Sequence, residues 1–224
     1  MLANFFRRLK IPLILTSFTA FMYVDISETS FYINNLYHCN SKYANKGFWE
    51  KEYQDDVSQY DWYVRYEEIA PIINKFIHNN DNILQIGAGN STLSEQLYME
   101  NYKQITNIDI SSEVVSQMTE YYKEKNLNIK FFEMNMLNLT LPENCYDIVL
   151  DKAGSDVLLV GRKPFKTYRK FMIEIERVLK KDGKFIFITL FSNFPLNKVI
   201  DKEKFEVIDF ICKEKYSILI LKKK

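Results

Sequence analysis

Ile83-Leu84-Gln85-Ile86 runs straight into Gly87-Ala88-Gly89-Asn90-Ser91, and an acid, Asp109, follows 22 residues after Gly87. Residues of these types at this spacing are suited to gripping a nucleoside. A largely apolar run of four reads as a buried strand, and Gly-Ala-Gly lets the chain turn sharply with no Cβ in the way. Leu93 to Tyr98 then has helical character. A strand, a glycine turn, a helix and an acid about 20 residues on form the nucleotide-cofactor crevice of a doubly wound sheet. Asp109 ends a second strand-like run, Ile105 to Ile108. There a carboxylate can accept hydrogen bonds from both ribose hydroxyls. The competing reading is a tight strand–helix turn that holds no ligand.

Thr92 discriminates between nucleosides. A dinucleotide fingerprint wants glycine at that position, for close packing of helix on strand beside a pyrophosphate. A β-branched residue stands there instead. S-adenosylmethionine carries no phosphate, so the turn need only let backbone pass close to its amino-acid end and sulfonium. The pattern therefore favours S-adenosyl-L-methionine over NAD.

These residues must be carried by an alternating series of strands and helices. Ile69, Ile72, Ile73, Phe76 and Ile77 have helical spacing ahead of the first strand, with Pro71 tolerable near a helix start. Ser112 to Lys125 reads as a helix with Val114, Val115, Met118 and Tyr121 or Tyr122 on one face. Asn128 to Glu133 and Tyr146 to Asp151 read as the third and fourth strands. Thr167 to Leu179 is a helix burying Phe171, Met172, Ile175, Val178 and Leu179, stopped by Asp182-Gly183. Lys184 to Leu190 is a fifth strand. Phe205 to Ile211 and Tyr216 to Leu221 are joined by a short connection that suits an antiparallel hairpin better than a crossover through a helix. The expected fold class is α/β: a Rossmann-like seven-stranded sheet, mostly parallel, with an antiparallel C-terminal strand.

Composition narrows the partners. The 224 residues are 47% hydrophobic, enough for one domain with a sizeable core. Thirty basic side chains against 29 acidic ones leave a net charge of +1, with no surplus for neutralising a nucleic-acid backbone. Cys39, Cys145 and Cys212 have neither metal nor redox spacing, and His38 and His78 are the only histidines. No metal site and no Ser-His-Asp centre is expected, and the cytoplasm is the expected compartment.

Residues 1–22 form an uncertain extension. Phe5-Phe6-Arg7-Arg8-Leu9-Lys10 precedes an apolar run, Ile11 to Met22, with no acid before Asp25. That order fits a secretory signal, an organellar presequence, or a gene-model artefact with Met22 as the true start. The run is too short for a confident membrane span, and no membrane partner is expected. Residues 23–224 are expected to form one domain, opening with an aromatic segment over about residues 40–66.

With these residues laid out, the chain resembles the class I S-adenosylmethionine-dependent methyltransferases. More narrowly it is similar to the subfamily that methylates lysines of translation elongation factor one alpha. The resemblance runs from about Gly47 to Leu190. It is carried by Phe48-Trp49-Glu50-Lys51-Glu52-Tyr53, Tyr60-Asp61-Trp62-Tyr63, Gly87-Ala88-Gly89-Asn90-Ser91, Asn107-Ile108-Asp109-Ile110-Ser111 and Val149-Leu150-Asp151-Lys152. The resemblance implies that Trp49, Tyr53 and Trp62 enclose the cofactor, beside Gly87, Gly89 and Asn90 of the turn. It implies that Asp109 and Ile110 hold the ribose and that Asn135 and Met136 border the adenine. Asp151 and Lys152 are implied at the methionine end and at the substrate, as the catalytic pair; a carboxylate such as Asp151 or Asp156 could attract an incoming ammonium, and Asp151 is the expected one. Two departures stand out: Asn135 replaces the family's usual Asp, and Asp151-Lys152-Ala153-Gly154-Ser155-Asp156 replaces Asp-Lys-Gly-Thr-Leu-Asp. The implied substrate is a lysine of a protein such as a translation elongation factor. A small-molecule methyltransferase and a catalytically silent cofactor-binding partner remain the alternatives, and oligomeric state is left open.

Overall fold

A computed structural model describes residues 41–161, 163–190 and 196–224, so the extension at 1–22 lies outside the described residues. A 3-10 turn, Ser41–Ala44, leads into α1 (Lys46–Asp55) and α2 (Tyr66–Ile73). Then come β1 (Ile83–Ile86), α3 (Leu93–Met99), β2 (Ile105–Asp109), α4 (Ser112–Glu124) and β3 (Lys130–Glu133). The second half comprises β4 (Tyr146–Lys152), α5 (Asp156–Leu159), α6 (Pro164–Val178), β5 (Leu179–Thr189), α7 (Leu196–Val199), β6 (Phe205–Cys212) and β7 (Ser217–Lys223).

The strands form one seven-stranded sheet in the order β3-β2-β1-β4-β5-β7-β6. Pairs among β1 to β5 are parallel, and β7 runs antiparallel to both its neighbours. That is the architecture expected from the sequence. Strand periodicity explains its two apolar faces. Ile83, Ile148, Leu150, Ile186, Ile188, Ile218 and Ile220 point to one face, covered by Ile69 and Ile73 of α2, Leu93 and Leu97 of α3, and Val114, Met118 and Tyr122 of α4. Leu84, Val149, Phe185, Phe187, Leu219 and Leu221 point to the other, covered by Tyr168, Phe171, Met172, Ile175 and Val178 of α6.

Burial also explains why the last strand slots inside the hairpin's first. Ser217–Leu221 is buried without interruption, as an interior strand must be, whereas β6 alternates buried Phe205 with exposed Glu206, Val207 and Ile208 and takes the edge.

The largest boundary differences from the sequence reading fall around α6 and the start of β5, which is Leu179 rather than Lys184. Helix α6 starts at Pro164, a residue suited to the first helical position, rather than at Thr167. It stops at Val178, and Leu179 is already extended, so Asp182-Gly183 does not end it. Those two residues lie inside β5, where the register against β4 shifts, and Asp182 takes the left-handed conformation at φ 64°. Gly183 is required by close approach: a Cβ there would meet the Lys180 carbonyl oxygen at 2.9 Å.

Every parallel strand ends on the same side of the sheet, so the turns after β1, β2 and β4 converge there. The opposite side is fastened by Lys223. Its Nζ donates to Asn144 Oδ1 (3.0 Å) and to the carbonyls of Glu176 (2.7 Å) and Leu179 (2.8 Å), closing the end of α6 onto β7. Lys223→Met keeps the apolar stem and removes the three bonds. It is expected to destabilise the protein by about 1.5–3 kcal/mol, since a charged donor is lost and acceptors are left unpaired. Denaturant titration with an unchanged slope checks this.

Candidate active site

Convergence of the turns produces an open cleft. Its floor is Gly87, Ala88, Gly89, Asn90 and Ser91, continued by Asp109, Ile110, Met136, Lys152, Ala153 and Gly154. Gly87 and Gly89 take φ of 57° and 54°, a conformation that a side chain resists. Space forbids a side chain as well: a Cβ on Gly87 would lie 2.8 Å from Gly154 Cα, and one on Gly89 would lie 2.7 Å from the Tyr53 hydroxyl. The turn after β1 thus presses on the turn after β4 and on an aromatic ring above.

Asp109 is 7% exposed and holds the floor together. Its Oδ2 accepts from Gly89 N (2.9 Å) and its Oδ1 from Ser111 N (3.1 Å), leaving lone pairs on both oxygens. Burial raises its pKa, against the pull of the backbone donors at Ser111, Gly89 and Ile110. Burial, with Asp109 alongside, also pushes the Tyr53 phenol well above its ordinary value, so Tyr53 stays a neutral donor.

The walls come from residues 41–66. Tyr43, Trp49, Tyr53, Tyr60, Trp62 and Tyr63 all line the cleft. Trp49 stacks near Tyr53 at 6.0 Å between centroids, and meets Trp62 edge-on at 6.3 Å. No residue of α1 is fully buried, so polar contacts hold this helix down alongside the packing of Tyr53, Tyr63, Val64 and Tyr66 on the core. Glu50 supplies one set. It accepts from Ser111 Oγ (2.6 Å), Ser112 N (3.0 Å), Ser112 Oγ (3.0 Å) and Glu113 N (3.1 Å), capping α4 from outside that helix. Burial works to raise its pKa, but these donors outweigh burial and bring it down to about 2. Lys46, one turn earlier, pairs with Glu133 at the end of β3.

Asp61 supplies the other set. It accepts from Ser91 Oγ, from Thr92 Oγ1 (2.7 Å) and from Lys152 Nζ (3.0 Å), while Lys152 also donates to the Trp62 carbonyl (3.2 Å). Burial alone would raise Asp61; Lys152 and the two hydroxyls reverse that and lower its pKa. Burial lowers Lys152, opposed by Asp61. Asn90 adds a bond from Nδ2 to the Ser58 carbonyl (2.6 Å).

The expected site residues Trp49, Tyr53, Trp62, Gly87, Gly89, Asn90, Asp109, Ile110, Met136 and Lys152 are all brought to this cleft. Two others lie elsewhere. Asn135 is exposed, and its Oδ1 accepts from Leu137 N (2.9 Å), so it shapes the turn that presents Met136. Asp151 is wholly buried beneath the turn after β4, both oxygens 3.2 Å from Ser155 N. Burial brings its pKa up to about 7. It organises the turn and does not face the cleft. Lys152 reaches the cleft, but its ammonium is engaged by the aromatic segment.

The carboxylate after β4 that does line the cleft is Asp156, fixed by Tyr63 Oη (2.9 Å), Thr189 Oγ1 (2.7 Å) and Leu190 N (3.1 Å). Asp156 was the second choice of the sequence reading behind Asp151, whereas Glu50 and Asp61 were passed over, although both sit inside the aromatic motifs it singled out. An acid embedded among rings that must stay near a polar floor was the available signal. Among the described residues no group of His, Cys, Asp and Glu could hold a metal ion, and no helix is long and apolar enough to cross a membrane.

Comparison with known proteins agrees with this geometry. Residues 77–219 match the methyltransferase domain family. The chain is 32% identical over 171 residues to the mouse (Mus musculus) eEF1A lysine and N-terminal methyltransferase, covering 75% of this chain and 24% of that protein. The human (Homo sapiens) protein of the same name shows the same identity and coverage. Mouse EEF1A lysine methyltransferase 4 is 27% identical over 160 residues, 67% of this chain and 62% of that protein. The chain thus spans about a quarter of the length of the first two relatives. Among solved structures, the PH0226 protein of Pyrococcus horikoshii superposes with a TM-score of 0.62 at 17% identity, over 78% of this chain and 99% of that one. A SAM-dependent methyltransferase of Methanosarcina mazei superposes at 0.56 with 20% identity, over 68% and 97%. At such identities these two speak for the fold alone.

The Glu50 cap generates a pH-dependent prediction. A carboxyl whose pKa is depressed on folding stabilises fully above its unfolded value, about 4.5, and loses that contribution as pH falls through the folded value, about 2. Glu50→Ala is expected to cost about 1–2 kcal/mol at pH 7, as loss of a helix cap does. The gap to wild type should narrow below pH 4.5 and close near pH 2. Urea titrations across that range check it; a gap independent of pH contradicts the assignment.

Proposed function

This chain belongs to the methyltransferase domain family, with S-adenosyl-L-methionine as its cofactor, and we propose that the methyl acceptor is a lysine side chain on a folded translation elongation factor. The observation that carries the proposal is the aromatic wall of Trp49, Tyr60, Trp62 and Tyr63 over the glycine floor. Ring faces attract cations, so an entrance lined by them suits a side chain ending in an ammonium. The curated relatives, named for methylation of eEF1A, support the same class of acceptor. With such an acceptor, the enzyme is placed in the cytoplasm, where elongation factors work.

The cleft fits the cofactor. Glycine backbone without side chains leaves room for the amino-acid end, the remaining lone pairs of Asp109 suit the two ribose hydroxyls, and Ile110 and Met136 offer apolar surface to the adenine. Trp49, Tyr53 and Trp62 are assigned to its enclosure, with Asn90 and Lys152 holding the surrounding loops. The cofactor supplies a methyl group on a positively charged sulfur. The chain's part is to align the amine with that methyl and to exclude water, and alignment alone contributes about 7–11 kcal/mol. A lysine with a reference pKa of about 10.4 must shed its proton first, and the desolvated cleft favours the neutral amine.

Incubation with labelled cofactor and purified elongation factor tests the acceptor. The expected result is label on a lysine of the factor; label confined to small molecules or RNA in a whole lysate sinks the proposal. In a separate calorimetric titration, Asp109→Ala is expected to weaken S-adenosylhomocysteine binding by about 1.5–3 kcal/mol through loss of charge-assisted bonds. Undiminished affinity removes Asp109 from the ribose site.

A further inference from the structure

Asp156 is a charged side chain, 6% exposed, that nonetheless lines the cleft. Burying a carboxylate is costly unless donors compensate. Three do, and they are unevenly shared: Oδ2 accepts from Tyr63 Oη and Leu190 N, whereas Oδ1 accepts from Thr189 Oγ1 alone. A carboxylate offers about four acceptor positions, so Oδ1 keeps capacity for a further donor. Val157, Val160 and Leu190 make the adjoining wall apolar, which strengthens any charge interaction made there.

The surrounding ionisable groups do not satisfy that capacity. Lys152, on the same stretch of chain, is engaged by Asp61 and the Trp62 carbonyl. Asp151 lies beneath the turn and repels, and Tyr168 of α6 approaches Ser155 (3.2 Å). Tyr63 comes from the aromatic segment and is held with φ at 67°, a strained conformation for an aromatic residue. That strain is sustained where the hydroxyl meets Asp156.

Resting on the proposed lysine acceptor, we infer that Asp156 is the subsite for the incoming ammonium, with Tyr63 as the residue that positions its carboxylate. An N–H of the acceptor donates to Oδ1; one proton then leaves the nitrogen through Asp156 to water, and the freed lone pair is left facing the cofactor's methyl group. Burial brings the Asp156 pKa up to about 6, held from going higher by Thr189, Leu190 and Tyr63, so the group is ionised and able to attract a cation near neutral pH.

Asp156→Asn tests this without wrecking the fold. The amide oxygen can keep the bonds from Tyr63 and Leu190, and the Thr189 hydroxyl can rotate to accept from the new NH₂. In the complex with S-adenosylhomocysteine, n-butylammonium chloride, a copy of the lysine side chain's end, is titrated while tryptophan fluorescence is followed. The expected result is saturable binding to wild type, weakened about 10- to 100-fold in Asp156→Asn, with S-adenosylhomocysteine affinity unchanged. For the labelled acceptor, kcat/KM falls as pH drops and the lysine itself is protonated, and in wild type a further, steeper limb should set in on the acid side of pH 6. That limb should move to higher pH in Tyr63→Phe, which loses one of the donors holding the pKa down, and vanish in Asp156→Asn. Equal amine binding in wild type and Asp156→Asn, or a steeper limb unaffected by both substitutions, overturns the assignment. Amine binding that depends on Asp156, with no lysine of the elongation factor labelled, leaves the subsite standing and overturns only the proposed acceptor.

Discussion

The buried pair between Asp61 and Lys152 is the contact through which the rest of the site is assembled. Two charges taken out of water interact strongly, but their desolvation roughly cancels the gain, so the pair adds little to stability by itself. Its value lies in what it joins. Asp61 belongs to the aromatic segment, Lys152 to the end of β4, and Ser91 and Thr92 to the turn after β1, and one carboxylate binds all three. Glu50 does the same at the other end of the cleft, tying α1 to the start of α4. Between these points lie the rings of Trp49, Tyr53 and Trp62. With no fully buried residue in α1, the rings keep their place through these charges at either end together with the packing of Tyr53, Tyr63, Val64 and Tyr66 on the core.

Beneath the segment the backbone itself is crowded. Gly87 and Gly154 touch, each leaving no room for a side chain on the other, so the ends of β1 and β4 are as close as two backbones can come. Ala153, at φ 71°, takes a conformation that glycine accepts freely and alanine resists. Together with Tyr63, this concentrates strain on the wall that carries Asp156. Strained backbone persists only where its surroundings dictate it, and here they do so from three sides: β4 beneath, β5 alongside and the aromatic segment above.

Much of this was legible in the sequence, for reasons that can be named. Apolar runs of strand length, the glycine turn and the spacing to Asp109 specify the sheet and one crevice, because each depends on local residue types. The short link from Cys212 to Lys215 likewise favours a hairpin over a crossover. Helix α6 was misjudged at both ends: Pro164 begins it, and the Asp182-Gly183 pair resembles a stop signal yet serves an irregularity within β5. Side-chain direction was less accessible. Asp151 and Asp156 are five residues apart on one turn, and nothing local says which carboxylate faces the cleft. Asn135 and Met136 pose the same question, settled when Asn135 spends its oxygen on Leu137. Thr92 was read only as a missing glycine, although its hydroxyl makes a contact of its own with Asp61.

The central claim is that the aromatic segment is held over the cleft by the Asp61–Lys152 pair and that cofactor binding depends on it. A double variant, Asp61→Asn with Lys152→Met, removes both charges together and so leaves no unpaired ion in the interior. Calorimetric titration with S-adenosylhomocysteine, alongside a thermal melt, is the direct test. The account predicts a melting temperature within a few degrees of wild type, about what a loss under 1 kcal/mol gives, and cofactor affinity reduced by a factor of about 10 or more. A double variant that folds normally and binds as tightly as wild type would contradict it.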